Sequence, residues 1–239
     1  YYKKPFVALM QGFTMGGGVG VSCHGSHRIV GETSKIAMPE CSIGLVPDVG
    51  GSFLLAKLPG NIGTFLGTTG KRMNASDAIY CGFADYFIPE RRWADLKEKL
   101  FTTGNIDWIN KFHESTGTSE IENSFLQISE AMDDVSSKNI ESRLKHPFFE
   151  KDLSALRFNS PISIAYTIMM LRMGKVRNNI SDALDAEYNF TARSQEYGDF
   201  QEGIRAAVID KDRKPLWKHK DLGAVSDEDL KPFLQIINR

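Results

Sequence analysis

The chain has 239 residues, of which 41% are hydrophobic and 25% are charged, the proportions of an ordinary globular protein. Its 29 Lys and Arg residues nearly balance 30 Asp and Glu residues, so the net charge of −1 gives no long-range attraction for nucleic acid or an anionic membrane surface. The longest apolar stretch, residues 162–173, contains Arg172 and is shorter than the roughly 18 residues that span a bilayer. We therefore expect neither a membrane protein nor a nucleic-acid-binding protein.

The cysteines and histidines show no metal or disulfide pattern. Cys23, Cys41 and Cys81 are far apart, odd in number and free of any C-x-x-C pair, which favours a reducing compartment. His24 and His27 lie three positions apart, but no acidic or cysteine partner follows them at ligand spacing. We expect these histidines to be structural and the protein to hold no metal.

The beginning of the sequence looks cut. It opens at Tyr1 without a methionine and enters an apolar, strand-like run at Pro5 almost at once. A signal or transit peptide can therefore not be judged, because the segment that would carry one is not in the sequence.

The first 90 residues alternate short apolar runs with helical patterns. The predicted strands are residues 5–10, 28–30, 35–38 and 84–88. The predicted helices are residues 19–24, residues 50–70 and a short helix with Asn74 as its N-cap. Pro39 ends the third strand and places Glu40 just beyond it. This alternation predicts an α/β layered core over residues 1–90.

Residues 91–239 have a helical period with polar connections, and we treat them as a separate helical C-terminal region. Three helix starts are predicted from capping residues: Ser160 before Pro161, Asp199 with Glu202, and Ser226 with Asp229. The polar, glycine-dotted stretch over residues 102–119 is predicted to be a surface connection.

Three consecutive glycines, residues 16–18, follow the first predicted strand. The dinucleotide-binding pattern fails because position 21 is Val, and the Gly-Lys-Ser/Thr of a P-loop is missing. An anion-facing turn at a helix N-terminus, able to stabilise an oxyanion, is one interpretation. A close-packed turn without a ligand is the other, and the residues alone do not decide between them.

Two acidic residues, Glu40 and Asp48, flank a mostly apolar segment. Burial is unfavourable for carboxylates, and if both face one cavity, desolvation and mutual repulsion raise at least one pKa toward neutrality. Such a pair is suited to nucleophilic or acid/base chemistry. Alternatively, each residue caps a turn in contact with water.

Several segments together resemble the crotonase superfamily. Residues 4–12 followed by 15–18 resemble its first signature, in which the middle glycine, Gly17 here, supplies one of two oxyanion-hole N–H groups. Residues 38–40 with 44–51 resemble the second signature, and residues 202–215 resemble the C-terminal one. The resemblance implies a crotonase-like layered β-β-α core whose N-terminal part is absent, followed by a helical C-terminal region. It also implies that the substrate is an acyl-CoA thioester.

Two differences from the enoyl-CoA hydratases narrow the subgroup. Hydratases usually carry a catalytic glutamate where this sequence has Gly20, and they usually have glycine where it has Asp48. The run Pro-Asp-Val-Gly-Gly after Met-Pro-Glu, and a helical insertion over roughly residues 105–160, resemble the 3-hydroxyisobutyryl-CoA hydrolases. That likeness implies thioester hydrolysis in valine breakdown by catalytic Glu40 and Asp48, with CoA as part of the substrate and no other cofactor.

The resemblance leaves alternatives open. One is a crotonase-family isomerase, hydratase or decarboxylase, and another is a non-catalytic component of a mitochondrial assembly such as the ribosome. It implies the mitochondrial matrix in a eukaryote and the cytoplasm otherwise, and it allows a homo-oligomer. The second oxyanion donor is expected to precede Tyr1, so these 239 residues alone are expected to be inactive.

Overall fold

The computed structural model describes residues 2–235 and 237. The chain forms two compact units, one from the residues up to Ala37 with Arg72–Ser124, the other from Met38–Lys71 with the residues from Phe125 onward. Each unit combines segments from both sides of residue 90. The division into residues 1–90 and 91–239 therefore describes the sequence pattern, and as a division into domains it stays a prediction.

Five short β-strands lie in the first unit: β1 (Val7–Met10), β2 (Phe13–Met15), β3 (His27–Val30), β4 (Lys35–Ala37) and β5 (Tyr86–Phe87). They form a three-stranded parallel sheet in the order β1-β3-β5 and a two-stranded parallel sheet of β2 with β4. β2 lies between the first predicted strand and the glycines, where no strand is predicted. A three-residue strand whose Phe13 side chain is 69% exposed has too few apolar positions to show in the sequence.

Helices make up most of the rest of the described chain. The α-helices are α1 (Gly17–Ser22), α2 (Gly51–Ala56), α3 (Ile62–Thr69), α4 (Ala75–Tyr80), α5 (Trp93–Thr103), α6 (Trp108–Phe112), α7 (Glu120–Asn123), α8 (Phe125–Met132), α9 (Ile140–Arg143), α10 (Glu150–Phe158), α11 (Pro161–Leu171), α12 (Gly174–Asn178), α13 (Ile180–Thr191), α14 (Phe200–Ile204) and α15 (Asp227–Leu234). Short 3-10 helices span Glu40–Ile43, Pro59–Asn61, Glu90–Arg92, Pro147–Phe149 and Leu222–Ala224, and a π-helical turn spans Arg205–Ile209. Within residues 2–235 and 237, no helix has the length and apolar character needed to cross a membrane.

The core of the first unit packs helices α5 and α6 against the sheet. Its buried residues are Ile29, Ile88, Trp93, Leu96, Ile109 and Phe112. The predicted surface connection over residues 102–119 is therefore wrong in part, because α6 lies within it and buries two of these side chains. A single apolar turn among polar residues is too short to show a helical period.

The core of the second unit surrounds α11, nearly all of whose residues are buried. Tyr166 of this helix packs against Phe190, with ring centroids 5.0 Å apart, and Phe190 stacks on Phe233 at 4.4 Å. The predicted helix over residues 50–70 is two helices, α2 and α3. Leu58, which precedes a proline, takes the extended conformation that this position favours and so ends the helical path.

Three of the four predicted helix caps are confirmed. Asn74 and Ser226 each form a capping box, and the Ser160 side chain accepts a hydrogen bond in the first turn of α11. The helix start predicted at Asp199 is confirmed, since α14 begins at Phe200, but the Asp199 side chain forms no capping box. Its carboxylate is buried and accepts hydrogen bonds from the Ser160 hydroxyl and the Lys218 N–H instead, since these partners come close only in the folded chain.

Candidate active site

Gly17 begins helix α1 in the first unit. The preceding Gly16 has φ 51° and ψ −119°, a conformation that essentially only glycine adopts. The Gly16 carbonyl accepts hydrogen bonds from the N–H groups of Val19 and Gly20, at 2.8 and 3.2 Å. The Gly17 N–H has no hydrogen-bond acceptor among the described residues. Apart from its two chain neighbours and the backbone of its own helix, no described atom lies within 4 Å of the position that a Cβ of Gly17 would occupy. The turn therefore offers an available donor with open space beside it.

Glu40 begins the 3-10 helix Glu40–Ile43 in the second unit, directly after Pro39. Its side chain is only 5% exposed, and its Oε2 atom is buried without a hydrogen-bond partner among the described residues. A buried carboxyl oxygen without a partner is unfavourable, and a catalytic role is one of the explanations for such a group.

Close packing fixes the turn that carries Glu40. The Ser160 N–H donates to the Cys41 carbonyl at 2.9 Å, and the Ser160 hydroxyl donates to Asp199 at 2.7 Å. Gly44 ends the turn at φ 76°, and a Cβ added there would lie 2.5 Å from the Asp199 carbonyl carbon. Glycine is thus required at position 44 both by its backbone conformation and by the neighbouring chain.

Asp48 lies at the start of the turn that leads into α2, and its side chain is half-buried. The Asp48 carbonyl accepts a hydrogen bond from the Gly51 N–H at 2.7 Å. The next residue, Val49, has φ 53°, a left-handed conformation that is strongly disfavoured for a β-branched side chain. Such strain costs about 1–3 kcal/mol and persists only where the surrounding structure enforces it.

Glu187 of α13, which was not predicted as a functional residue, holds the same turn. Its buried carboxylate accepts hydrogen bonds from the Gly50 N–H at 2.9 Å, from the Ser52 N–H at 3.2 Å and from the Ser52 hydroxyl. One signal for it does exist in the sequence. Glu187 lies at helical spacing from Ala183 and Phe190, both fully buried, so an acidic residue stands on the apolar face of α13.

Burial raises the pKa values of all three carboxyl groups, and repulsion by a neighbouring carboxylate adds to the rise for Glu40 and Glu187. The pKa of Glu40 is raised from 4.5 to about 8, mainly by burial; a hydrogen bond from its own backbone N–H opposes the rise, and the charges of Asp48 and Glu187 add to it. Burial also raises the pKa of Asp48, and it raises the pKa of Glu187 to about 7 despite hydrogen bonds from Ser52 and Gly50. Glu40 and Glu187 therefore both have pKa values near neutrality, where a carboxyl group can take up and release protons.

The cysteine thiols are unsuited to nucleophilic chemistry at neutral pH. All three cysteines are free and buried, and burial raises the pKa of Cys23 to about 11 and that of Cys41 to about 12. Among the residues described by the structure, no group of histidine, cysteine and acidic side chains can hold a metal ion.

The predicted site residues are divided between the two units. Glu40 and Asp48 lie with Glu187 in one electrostatic cluster of the second unit, whereas Gly17 belongs to the first unit. Joint action of Gly17 with the two carboxyl groups therefore stays a prediction.

Two solved structures share this architecture. The chain aligns with a structure described as an enoyl-CoA hydratase from Rhodobacter sphaeroides, with a TM-score of 0.93 and 47% identity over 99% of this chain and 69% of that one. It also aligns with a carnitinyl-CoA dehydratase from Mycobacterium thermoresistibile, with a TM-score of 0.91 and 30% identity over the same shares. The predicted crotonase-like α/β fold with a helical C-terminal region is confirmed.

The sequence comparisons agree with the fold. The family model described as enoyl-CoA hydratase/isomerase matches residues 1–234. The 3-hydroxyisobutyryl-CoA hydrolase of Gallus gallus is 38% identical over 242 residues, and that of Homo sapiens is 35% identical over 243 residues; each alignment covers 95% of this chain and 62% of the relative. The chain belongs to the enoyl-CoA hydratase/isomerase family, the crotonases, and spans less than two thirds of the length of these relatives.

Proposed function

We propose that the full-length protein hydrolyses a short-chain 3-hydroxyacyl-CoA thioester, with 3-hydroxyisobutyryl-CoA as the first substrate to test. The observation that carries this proposal is the buried Glu40 carboxyl, with an unpartnered oxygen and a pKa raised to about 8 close to a second acidic residue, Asp48. The relatives described as 3-hydroxyisobutyryl-CoA hydrolases support the choice of substrate.

In this mechanism the Gly17 N–H and a second donor polarise the thioester carbonyl. Ionised Glu40 takes a proton from water, whose oxygen bonds to the carbonyl carbon. The C–S bond then breaks, and the departing thiolate takes up a proton to give free CoA and a carboxylic acid. Loss of one oxyanion donor typically lowers the rate about 10²–10³-fold, so the turn at Gly17 matters as much as the carboxyl groups.

Glu40 can also act as the nucleophile. Its carboxylate would then attack the carbonyl carbon and expel the thiolate, leaving an acyl anhydride that water hydrolyses. Both routes need the ionised form of Glu40. Asp48 is half-buried, and burial raises its pKa; it either orients the substrate or, in its protonated form, donates the proton that the thiolate takes up.

Hydration of an enoyl-CoA is the second candidate, because the Rhodobacter sphaeroides structure described as an enoyl-CoA hydratase is 47% identical to this chain. The residue pattern favours hydrolysis, since Gly20 stands where the resemblance places a hydratase glutamate. Two assays distinguish these reactions. Hydrolysis releases free thiol from 3-hydroxyisobutyryl-CoA, whereas hydration consumes crotonyl-CoA without releasing thiol.

The proposal is tested with Glu40→Gln and Asp48→Asn, each made in the full-length protein. Each substitution is expected to lower thioester turnover at least about tenfold, because each removes a group that takes part in proton transfer or nucleophilic attack. The matched control is Glu130→Gln, the same chemical change at an exposed position of α8. Near-wild-type turnover in the folded Glu40→Gln protein would overturn the proposal.

We place the full-length protein in the mitochondrial matrix if its source is a eukaryote, following its relatives described as mitochondrial. The acyl-CoA substrate is its proposed partner, and a homo-oligomer stays a prediction. A non-catalytic role in an assembly such as the ribosome predicts co-sedimentation with ribosomal particles at moderate salt and no thioester turnover.

A further inference from the structure

Glu187 takes no part in the proposed bond-making steps, yet it is the most extensively hydrogen-bonded member of the carboxyl cluster. Its side chain is 3% exposed, and both of its carboxylate oxygens accept hydrogen bonds. Within the part of the chain that the structure describes, every one of the donors belongs to Gly50 or Ser52. The residue therefore connects the middle of α13 to the short segment that follows Asp48.

This segment is strained and would relax without an external restraint. Val49 has φ 53°, and the N–H groups at the start of α2 have no partners within that helix. The Glu187 carboxylate supplies acceptors for two of these N–H groups on either side of Gly51. When Glu187 is ionised these hydrogen bonds are charge-assisted and about twice as strong as neutral ones, and they fix the backbone that begins at Asp48.

The position of Glu187 is unfavourable on other grounds. Its immediate neighbours on the buried face of α13 are Ala183, Ala186 and Phe190, where an apolar side chain would pack without desolvating a charge. Its charge also repels those of Asp48 and Glu40. An apolar residue would avoid this repulsion but would leave the Gly50 and Ser52 donors buried and unpaired.

We propose that Glu187 is a positioning residue for Asp48: its carboxylate holds the strained Asp48–Ser52 turn so that the Asp48 carboxyl keeps the geometry needed for turnover. This role of Glu187 rests on the proposed function, because it assumes that Asp48 acts on the substrate. A misplacement of a reacting group by about 1 Å can lower the rate 10²-fold, so loss of the restraint is expected to lower turnover.

The test is a double-mutant cycle in the full-length protein, using Glu187→Gln, Asp48→Asn and the double variant. Glutamine has one oxygen and can keep the Ser52 hydrogen bonds, but its amide NH2 then faces the Gly50 N–H, donor against donor. We expect Glu187→Gln to lower kcat about tenfold. In the Asp48→Asn background the same change is expected to have little further effect, because the group being positioned is already gone.

A second readout does not depend on turnover. In the wild-type protein the Gly50 and Ser52 amides are expected to be protected from hydrogen exchange. Glu187→Gln is expected to accelerate exchange at the Gly50 amide about tenfold or more. The core amides of α11 are expected to stay protected in this variant. Ser52→Ala removes only the hydroxyl donor and is expected to lower kcat less than Glu187→Gln does. Glu130→Gln serves as the exposed control in both measurements.

The outcomes separate this role from the proposed function. If the wild-type protein hydrates crotonyl-CoA without releasing thiol, the proposed function is contradicted but the role of Glu187 is not. The double-mutant cycle is then run with hydration as the measured reaction. The role of Glu187 is overturned if Glu187→Gln keeps its kcat while exchange at Gly50 accelerates. It is also overturned if the kcat losses of Glu187→Gln and Asp48→Asn multiply, because a merely structural residue acts independently of Asp48.

Discussion

The carboxylate of Asp199 accepts a 2.7 Å hydrogen bond from the hydroxyl of Ser160. The backbone N–H of the same serine donates to the Cys41 carbonyl, one residue after Glu40. A chain of two hydrogen bonds thus leads from Asp199 to the turn that carries Glu40. Two buried acidic residues far along the chain, Asp199 and Glu187, therefore hold the two turns that carry Glu40 and Asp48.

Removing the Asp199 carboxylate is expected to destabilise the protein. Asp199→Ala leaves the Ser160 hydroxyl and the Lys218 N–H without their acceptor, and an unpaired buried group costs about 1–3 kcal/mol. Asp199→Asn is the control, since an amide can accept from one of these groups and donate to the serine oxygen. Urea unfolding of both variants measures the difference, and equal free energies of unfolding for the two would contradict this account.

The pH dependence of turnover is expected to follow Glu40. Burial raises the pKa of Glu40 to about 8, and the proposed reaction needs its ionised form. The value of kcat/KM should therefore rise with pH until it levels off above about pH 8, and Asp48→Asn should move this midpoint down because it removes a repelling charge. A profile that is flat across this region, or that falls as pH rises, would show that Glu40 does not act as a carboxylate.

The difference between the pKa values of Glu40 in the folded and unfolded states predicts that this residue lowers the free energy of unfolding. Unfolded Glu40 ionises near pH 4.5 and folded Glu40 near pH 8, so between these values only the unfolded state releases the proton, and the free energy of unfolding falls as pH rises. Glutamine does not titrate. Glu40→Gln should therefore unfold at a higher temperature than the wild type at pH 8, with a smaller gain at pH 5. A gain that is the same at both pH values, or larger at pH 5, would contradict the assignment.

Neighbouring glycines are expected to respond differently to substitution. Gly16→Ala forces alanine into the conformation at φ 51° and should lower the free energy of unfolding by about 1–3 kcal/mol. Gly17→Ala introduces a Cβ that meets no described atom within 4 Å beyond its chain neighbours and its own helix backbone, so the fold should tolerate it. Turnover should fall, because the methyl group occupies the space proposed for the substrate carbonyl. Thermal unfolding and thiol release measure the two effects; full turnover in Gly17→Ala would exclude Gly17 as an oxyanion donor.

Local patterns in the sequence predict much of the fold. Strands β1 and β3, the caps at Asn74 and Ser226 and the start of α11 are all encoded in a few adjacent residues. Strand β2 and helix α6 are missed because each has too few apolar positions to establish a period. The break at Leu58 is a local effect of the following proline, and the sequence contained the signal for it.

Local sequence patterns predict less of the candidate site than of the fold. Glu40 and Asp48 are recognisable because charge beside an apolar segment is unusual and because their spacing resembles a known signature. Glu187 bonds Ser52 across 135 positions of the chain, and Asp199 bonds Ser160 across 39. Hydrogen bonds at such separations cannot be read from adjacent residues. For Glu187 the sequence shows only an acidic residue on the apolar face of α13, and for Asp199 it shows a capping-box pattern that the side chain does not form.

The most direct test is thiol release from 3-hydroxyisobutyryl-CoA by the full-length wild-type protein and by Glu40→Gln, measured together with thermal unfolding. The wild type is expected to release thiol. Turnover by Glu40→Gln is expected to be at least about tenfold lower, and the variant is expected to unfold at a temperature equal to or higher than that of the wild type. Turnover near the wild-type rate in the folded variant, or no thiol release by a folded wild-type protein, would contradict the account.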